Sequence, residues 1–287
     1  MAQPRPAKRK TKAQQALSAP RAARASASDR LDLFAITAPG LEPLAAGELH
    51  ALGIADAKAE AGGVSFGGGL PEVYRANLWL RTATRVVARA AEFGARAFYE
   101  LEKGAKQVAW ERWLGGGRPV QIRVTCRKSK LYHSDAVAER VANAIASRAT
   151  KAGEITARSG GADGEDDDAV QDRADAQLVI VRMLHDRCTI SIDTSGALLH
   201  RRGYRLATAK APLRETLAAA ALFASAWDPT GPLIDPLCGA GTIAIEAALL
   251  ARHMAPGAQR NFAFMAWPSF DATAWTKIRD DALASAL

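Results

Sequence analysis

The sequence predicts an α/β protein of consecutive units behind a basic tail, α+β in character in its N-terminal half. Three observations carry this. Strand-like and helix-like segments alternate β-α-β-α-β between residues 31 and 93. A strand, a long helix and a hairpin follow between 120 and 193. Beyond them a glycine-rich turn, Asp235-Pro-Leu-Cys-Gly-Ala-Gly-Thr242, joins a short apolar segment to an apolar helix. At 287 residues the chain is too long for one small module, and two or three domains are expected.

Leu31–Thr37 reads as a strand, and Pro39-Gly40 leads into a helix over Leu41–Leu52 that stops at Gly53. Val64–Phe66, flanked by glycines, reads as a short strand, Leu70–Leu80 has helical spacing, and Thr84–Phe93 is strand-like. That order within about 65 residues suggests a ferredoxin-like unit. Val120–Cys126 alternates as a strand, and Ala136–Ala149 is a helix. Gln177–Leu184 and Cys188–Asp193 form a hairpin turning at His185-Asp186-Arg187. Between helix and hairpin, Thr150–Asp175 carries eight acids against three bases, and is expected to be a mobile loop away from any nucleic acid.

Composition excludes several classes. No apolar run approaches the roughly 20 residues that span a bilayer. Cys126, Cys188 and Cys238 lie far apart with no Cys-x-x-Cys, and no His-Glu-x-x-His occurs, so neither a disulfide framework nor a metal site is expected. A reducing, cytoplasmic compartment is the natural setting. The net charge of +8 is concentrated: residues 1–30 hold eight Lys or Arg and one acid, leaving +1 for the rest. This tail has little to bury and should be disordered. It can be read as a phosphate-attracting arm, a solubilising tail or a transit peptide, the last opposed by Pro4, Pro6 and the Lys8-Arg9-Lys10 cluster.

Two basic patches within the folded part contain aromatics. One includes Arg127, Lys128, Lys130, Tyr132 and His133; the other includes Arg201, Arg202, Tyr204 and Arg205. Guanidinium and ammonium groups suit phosphates, and a ring can stack on an unpaired base. Either patch alone would be read as a solvated strand end; two around one α/β unit favour RNA.

In the glycine turn, Leu233–Ile234 is expected to be a strand and Thr242–His253 a helix buried against a sheet. Gly239 and Gly241 let a ligand approach the backbone, and the helix start offers unpaired N–H groups. The segment also satisfies the weak Gly-x-Gly-x-x-Ala dinucleotide pattern, but no acid lies between Glu246 and Asp271 to hold a ribose. No Gly-Lys-[Ser/Thr] follows, so a P-loop is excluded. A tight turn without a ligand stays open as a reading.

Asp235-Pro-Leu-Cys-Gly-Ala-Gly-Thr-Ile-Ala-Ile-Glu246 resembles the S-adenosylmethionine (SAM) loop of the THUMP-containing RNA methyltransferases, especially the bacterial large-subunit rRNA guanine-N2 enzymes. Leu199-His-Arg-Arg-Gly-Tyr-Arg205, Ala211-Pro-Leu-Arg-Glu-Thr-Leu-Ala218, Lys128-Ser-Lys-Leu-Tyr-His133 and Asp193-Thr-Ser-Gly196 fit the same family. The resemblance covers nearly everything after Leu31. It implies a ferredoxin-like domain over 31–95, an RNA-binding THUMP domain over 96–195, and the start of a truncated Rossmann-like methyltransferase domain over 196–287. It further implies that Asp235, Pro236, Cys238, Gly239, Ala240, Gly241 and Thr242 bind SAM, with Pro212 and Thr216 nearby.

The family's catalytic Asn-Pro-Pro-Tyr is absent from these residues and is expected beyond Leu287, so no catalytic residue is assigned. The strand carrying the acid for the SAM ribose is expected beyond Leu287 too. The expectation is that the chain as given does not methylate RNA and binds SAM weakly or not at all. Residues after about 207 should then be loosely ordered, with Leu31–Asp193 folding by itself. The alternative is an RNA-binding THUMP protein with a vestigial SAM lobe.

Overall fold

The computed structural model describes residues 30–149, 151–159, 175–205 and 212–287. The expectations for residues 1–29, and for most of the acidic stretch, lie outside the described residues.

Alternating apolar residues make β1 (Leu31–Thr37), whose Leu33 and Ala35 are buried on one face while Asp32 is exposed on the other. Helix α1 (Glu42–Ala51) opens with proline in its first turn. Past its end, Gly53 adopts φ +84°, which lets the chain turn back. Strands β2 (Lys58–Glu60) and β3 (Gly63–Gly68) and helix α2 (Leu70–Trp79) follow, then the long strand β4 (Ala83–Gly94). Strand β2, wholly exposed, is not anticipated by the sequence reading.

Helix α3 (Phe98–Gln107), also unforeseen, leads to β5 (Val120–Arg127). Helix α4 (Ser134–Arg148) carries one apolar stripe, Val137, Ala138, Val141, Ala144 and Ile145, that it buries. Strand β6 (Ile155–Ser159) then pairs parallel to β5. This corrects part of the expected mobile loop. Strand pairing satisfies the backbone of Ile155–Ser159 despite the polar surroundings, because β5 has an open edge there. Strands β7 (Gln177–Leu184) and β8 (Arg187–Asp193) form the expected hairpin.

The two α/β units are not separate layers. Among the described residues, all eight strands form one sheet, in the order β2-β3-β1-β4-β8-β7-β5-β6. The join is the antiparallel pair β4–β8, running from Val87 opposite Asp193 to Gly94 opposite Arg187, with an irregularity between Arg89 and Ala91.

The C-terminal third departs most from expectation. Helices α5 (Glu215–Ala224), α6 (Thr242–Ala251) and α7 (Ala272–Ala284) are formed. Phe262, Phe264, Trp267 and Trp275 belong to the same core as the sheet. Tyr74 of α2 meets Phe264 at 4.8 Å and Trp275 at 5.7 Å, and Trp113 meets Trp267 at 4.7 Å. The Asp271 carboxylate caps α7, accepting from the N–H groups of Thr273 and Ala274, and the Asp271 N–H donates to the Tyr74 hydroxyl at 3.0 Å. Even Leu287, after α7, is tied back: its N–H donates to the Arg252 carbonyl at 2.9 Å, and its carbonyl accepts from Arg252 Nε at 2.9 Å. Residues 212–287 therefore do not form a loose appendage, because large aromatic rings from 262–275 are buried against the N-terminal half. Among the described residues no helix is long and apolar enough to cross a membrane.

Candidate functional site

The glycine turn begins with residues 232–235, which pair with no strand. This corrects the strand expected at Leu233–Ile234. No neighbouring strand supplies hydrogen bonds there, and Ile234 is 87% exposed. The Asp235 carboxylate accepts from the Leu237 N–H at 3.1 Å, and the Gly241 N–H donates to the Cys238 carbonyl at 2.7 Å. Gly239 and Gly241 have φ of +51° and +74°, the left-handed region that side-chain-bearing residues rarely adopt. A Cβ built on Gly241 would meet nothing closer than Ile245 Cδ1 at 4.0 Å, so the turn is open to a ligand. Pro236, Cys238 and Ala240 are exposed along it. Gly241 is the N-cap of α6, and no side chain caps that helix end.

Helix α6 is not buried against a sheet, which corrects the second expectation. It packs on α5, Ala244, Ile245 and Ala248 are exposed, and its fully buried residue is Glu246. Three groups converge on that carboxylate. The Tyr204 hydroxyl donates to Oε1 at 3.2 Å, Arg202 Nε stands 3.5 Å from Oε1, and Arg81 Nη1 stands 3.6 Å from Oε2. Burial pushes the Arg81 pKa down to about 10, against the opposing pull of Glu246, and burial pushes the Tyr204 hydroxyl upward.

Arg81 comes from the turn between α2 and β4. Its N–H donates to Glu48 Oε1 of α1 at 2.7 Å, its carbonyl accepts from Arg202 Nη2 at 2.6 Å, and its Nη2 donates to the Met254 carbonyl. The helix behind the glycine turn is thus locked to the ferredoxin-like half by buried charge. A second lock lies closer to the turn. Arg205 Nε donates to Glu215 at 2.6 Å, and its Nη2 to the Leu213 carbonyl and to Thr242 Oγ1 at 2.7 and 2.9 Å.

These contacts correct the second basic patch. Arg202 is buried, Tyr204 and Arg205 turn inward onto Glu246, Glu215 and Thr242, and Arg201 alone of the four is exposed. Arg202, Tyr204 and Arg205 hold α6 in place, which leaves Arg201 as the exposed cation of the patch. Thr216 and Thr242 are also buried, so their side chains do not line the open turn, while Pro212 is half-buried. Leu287, the residue beyond which the catalytic motif is expected, supplies no chemistry of its own: its side chain is aliphatic and 79% exposed, and only its backbone meets the residue that follows α6.

The first patch stands as a surface. Arg127, Lys128, Lys130, Tyr132 and His133 are all exposed at the end of β5 and the start of α4. At the opposite end of the sheet lies a buried pair, Arg85 Nη1 to Asp193 Oδ2 at 2.7 Å, in which burial raises the Asp193 pKa against the pull of Arg85. The Asp193 carboxylate also accepts from the N–H groups of Ser195 and Gly196.

Comparison with known proteins matches three family models in succession: an RlmL ferredoxin-like domain over 32–87, a THUMP domain over 95–155, and an RMKL-like methyltransferase domain over 202–286. The chain carries ferredoxin-like, THUMP and RMKL-like methyltransferase domains in that order. Its relatives include the ribosomal RNA large subunit methyltransferase K/L of Aliivibrio salmonicida, 39% identical over 87% of this chain and 34% of that protein. Another is slr0064 of Synechocystis, provisionally named an RNA methyltransferase, 38% identical over 88% of this chain and 63% of that protein. Among solved structures, SMU.472, provisionally named a methyltransferase and complexed with SAH, superposes with a TM-score of 0.76 at 33% identity. That match covers 90% of this chain and 65% of SMU.472. The chain thus spans about a third of the length of the K/L relatives. Arg81 and Glu48, which anchor the glycine-turn helix, are not signalled by any motif; the isolated Glu246 in an apolar helix is the one visible hint.

Proposed function

We propose that the chain provides the RNA-binding part and the first cofactor loop of a SAM-dependent methyltransferase acting on large-subunit rRNA in the cytoplasm. The observation that carries this is the open turn Asp235–Thr242, with two left-handed glycines at an uncapped helix start, on a chain of the THUMP family. Glycines with no Cβ and unpaired N–H groups fit the carboxylate end of the SAM methionine, which lies along Asp235, Pro236, Cys238, Gly239, Ala240 and Gly241 in this reading. Thr242, Thr216 and Pro212 shape the turn from behind. SAM supplies an electrophilic methyl group; the chain's own residues bind, orient and shield it.

The acceptor in this reading is the exocyclic N2 of a guanine. An amine needs no covalent nucleophile from the protein, only alignment with the methyl group and a polar neighbour to take its proton. The domains are 31–95, 96–195 and 196–287, preceded by the tail 1–30. The RNA meets Arg127, Lys128, Lys130, Tyr132, His133 and Arg201, with no metal involved.

A second reading, an RNA-binding protein with a vestigial SAM lobe, is favoured by one observation: the apolar side chains of Ile234 and Leu237 beside the turn are 87% and 91% exposed. Labelled SAM and large-subunit rRNA fragments discriminate the two. RNA binding together with weak SAM binding supports the first, and RNA binding with no SAM binding supports the second.

A further inference from the structure

Among the described residues, two aromatic side chains are largely exposed, Tyr99 at 70% and Tyr132 at 67%. They lie in different elements, Tyr99 in the first turn of α3 and Tyr132 just before α4. One residue brings these segments together. The Asp186 carboxylate, in the β7–β8 turn, lies 3.3 Å from Arg96 Nε through Oδ2 and accepts from the Lys130 N–H at 2.7 Å through Oδ1. Its carbonyl accepts from the Ala95 N–H at 2.8 Å, and its N–H donates to Ser129 Oγ at 3.0 Å. Tyr99 follows Arg96 by three residues and Tyr132 follows Lys130 by two.

This corner holds its shape at a cost. His185, Asp186 and Lys128 have φ of 49°, 61° and 47°, left-handed conformations that are unfavourable for residues bearing a side chain. The strain is held by the bonds around Asp186. Tyr132 is further fixed against His133, ring centroids 4.0 Å apart. The acids of the corner are engaged within it: Asp186 as described, and Glu100 with the N–H groups of Arg96 and Ala97 and the Tyr99 hydroxyl. Lys128 and Lys130 project from the same corner, exposed.

We propose that this corner is a platform for unpaired nucleotides, with Tyr99 and Tyr132 stacking on bases while Lys128, Lys130 and Arg96 meet the adjoining phosphates. It rests on the reading of the chain as an RNA-binding protein and specifies which RNA it takes. An exposed ring can stack only on a base face that is itself exposed, and in a duplex those faces are covered by neighbouring base pairs. Rigid rings beside cations are the combination that single strands use.

The test is fluorescence anisotropy of labelled RNA on the whole chain, with a single strand of about ten nucleotides and a hairpin duplex of the same composition. Tyr99→Ala and Tyr132→Ala should each weaken single-strand binding by roughly 5- to 150-fold, from about 1–3 kcal/mol per stacked base. Tyr99→Phe and Tyr132→Phe keep the ring and should bind like the parent. Duplex affinity and thermal stability should not move. Alanine variants that bind the single strand as the parent does overturn the platform, even if Lys128→Glu/Lys130→Glu abolishes binding and upholds the wider RNA reading. A parent chain that binds neither RNA refutes that reading and the platform with it.

Discussion

Replacing Glu246 with alanine removes the carboxylate that pairs with Arg81 Nη1 and Arg202 Nε, both on side chains no more than 5% exposed. The hydrogen bonds left to those guanidiniums go to carbonyl oxygens of Leu199, Arg81, Leu249 and Met254, which solvate a cation but do not neutralise it. Breaking a buried ion pair from one side typically costs 3–5 kcal/mol. The orphaned Tyr204 hydroxyl adds about 1 kcal/mol. A loss of about 4–6 kcal/mol is comparable to the whole stability of many domains, so α6 should detach locally before the sheet unfolds. Hydrogen exchange read by mass spectrometry is the assay. Peptides covering 236–252 should lose protection in Glu246→Ala, while β4, β7 and β8 keep theirs. Glu246→Gln retains an acceptor for Tyr204 but turns an amide donor toward a guanidinium, and should fall between parent and alanine variant. Unchanged protection of α6 in Glu246→Ala would refute the claim that buried charge holds the glycine-turn helix.

Gly241→Val should distort the turn through strain rather than collision, since the left-handed φ costs about 1–2 kcal/mol and the surrounding space is open; calorimetry should show SAH binding lost with the main unfolding transition nearly unchanged. Trp267→Ala should destabilise the fold by about 3–5 kcal/mol in urea melts, because the ring is buried against Trp113 and its Nε1 donates to Gln177 at 3.0 Å. Limited proteolysis of the parent should accordingly spare 255–284 together with the sheet. Lys128→Glu/Lys130→Glu should lower rRNA affinity and reduce the salt-dependence slope by somewhat under one unit per lost contact, whereas Arg201→Glu, alone in its patch, should do less.

How much of this was legible in the sequence depended on whether the deciding interaction was local. Strand β5 announced itself by alternation, and the β7–β8 turn by its polar tripeptide. Neither Lys58–Glu60 nor Ile155–Ser159 has enough apolar residues to signal a strand; both form because a neighbouring edge is available. The single eight-stranded sheet was invisible because the β4–β8 pairing joins segments about a hundred residues apart. Arg202 and Arg205 were read as surface because a sequence counts charges without showing their partners, here Glu246 and Glu215. The glycine turn was legible because φ itself selects glycine. The aromatic series Phe262, Phe264, Trp267, Phe270 and Trp275 was a usable signal for a buried segment that the sequence reading passed over.

Cys238 offers the most direct measurement of the central claim, that the glycine turn holds the cofactor. Its thiol is exposed within the turn, whereas Cys188 is buried with its pKa pushed up to about 12 by desolvation, and burial also raises the half-buried Cys126. A thiol reagent near pH 8 should therefore modify Cys238 first in the folded chain, and mass spectrometry can follow that one site. Saturating SAH, used at high concentration because weak binding is expected, should slow modification of Cys238 in the parent and not in Gly241→Val. Adenosine alone should have little effect, because the turn is assigned to the amino-acid end of the cofactor. An unaltered rate at Cys238 under saturating SAH would contradict the assignment of Asp235–Thr242 as the SAM loop.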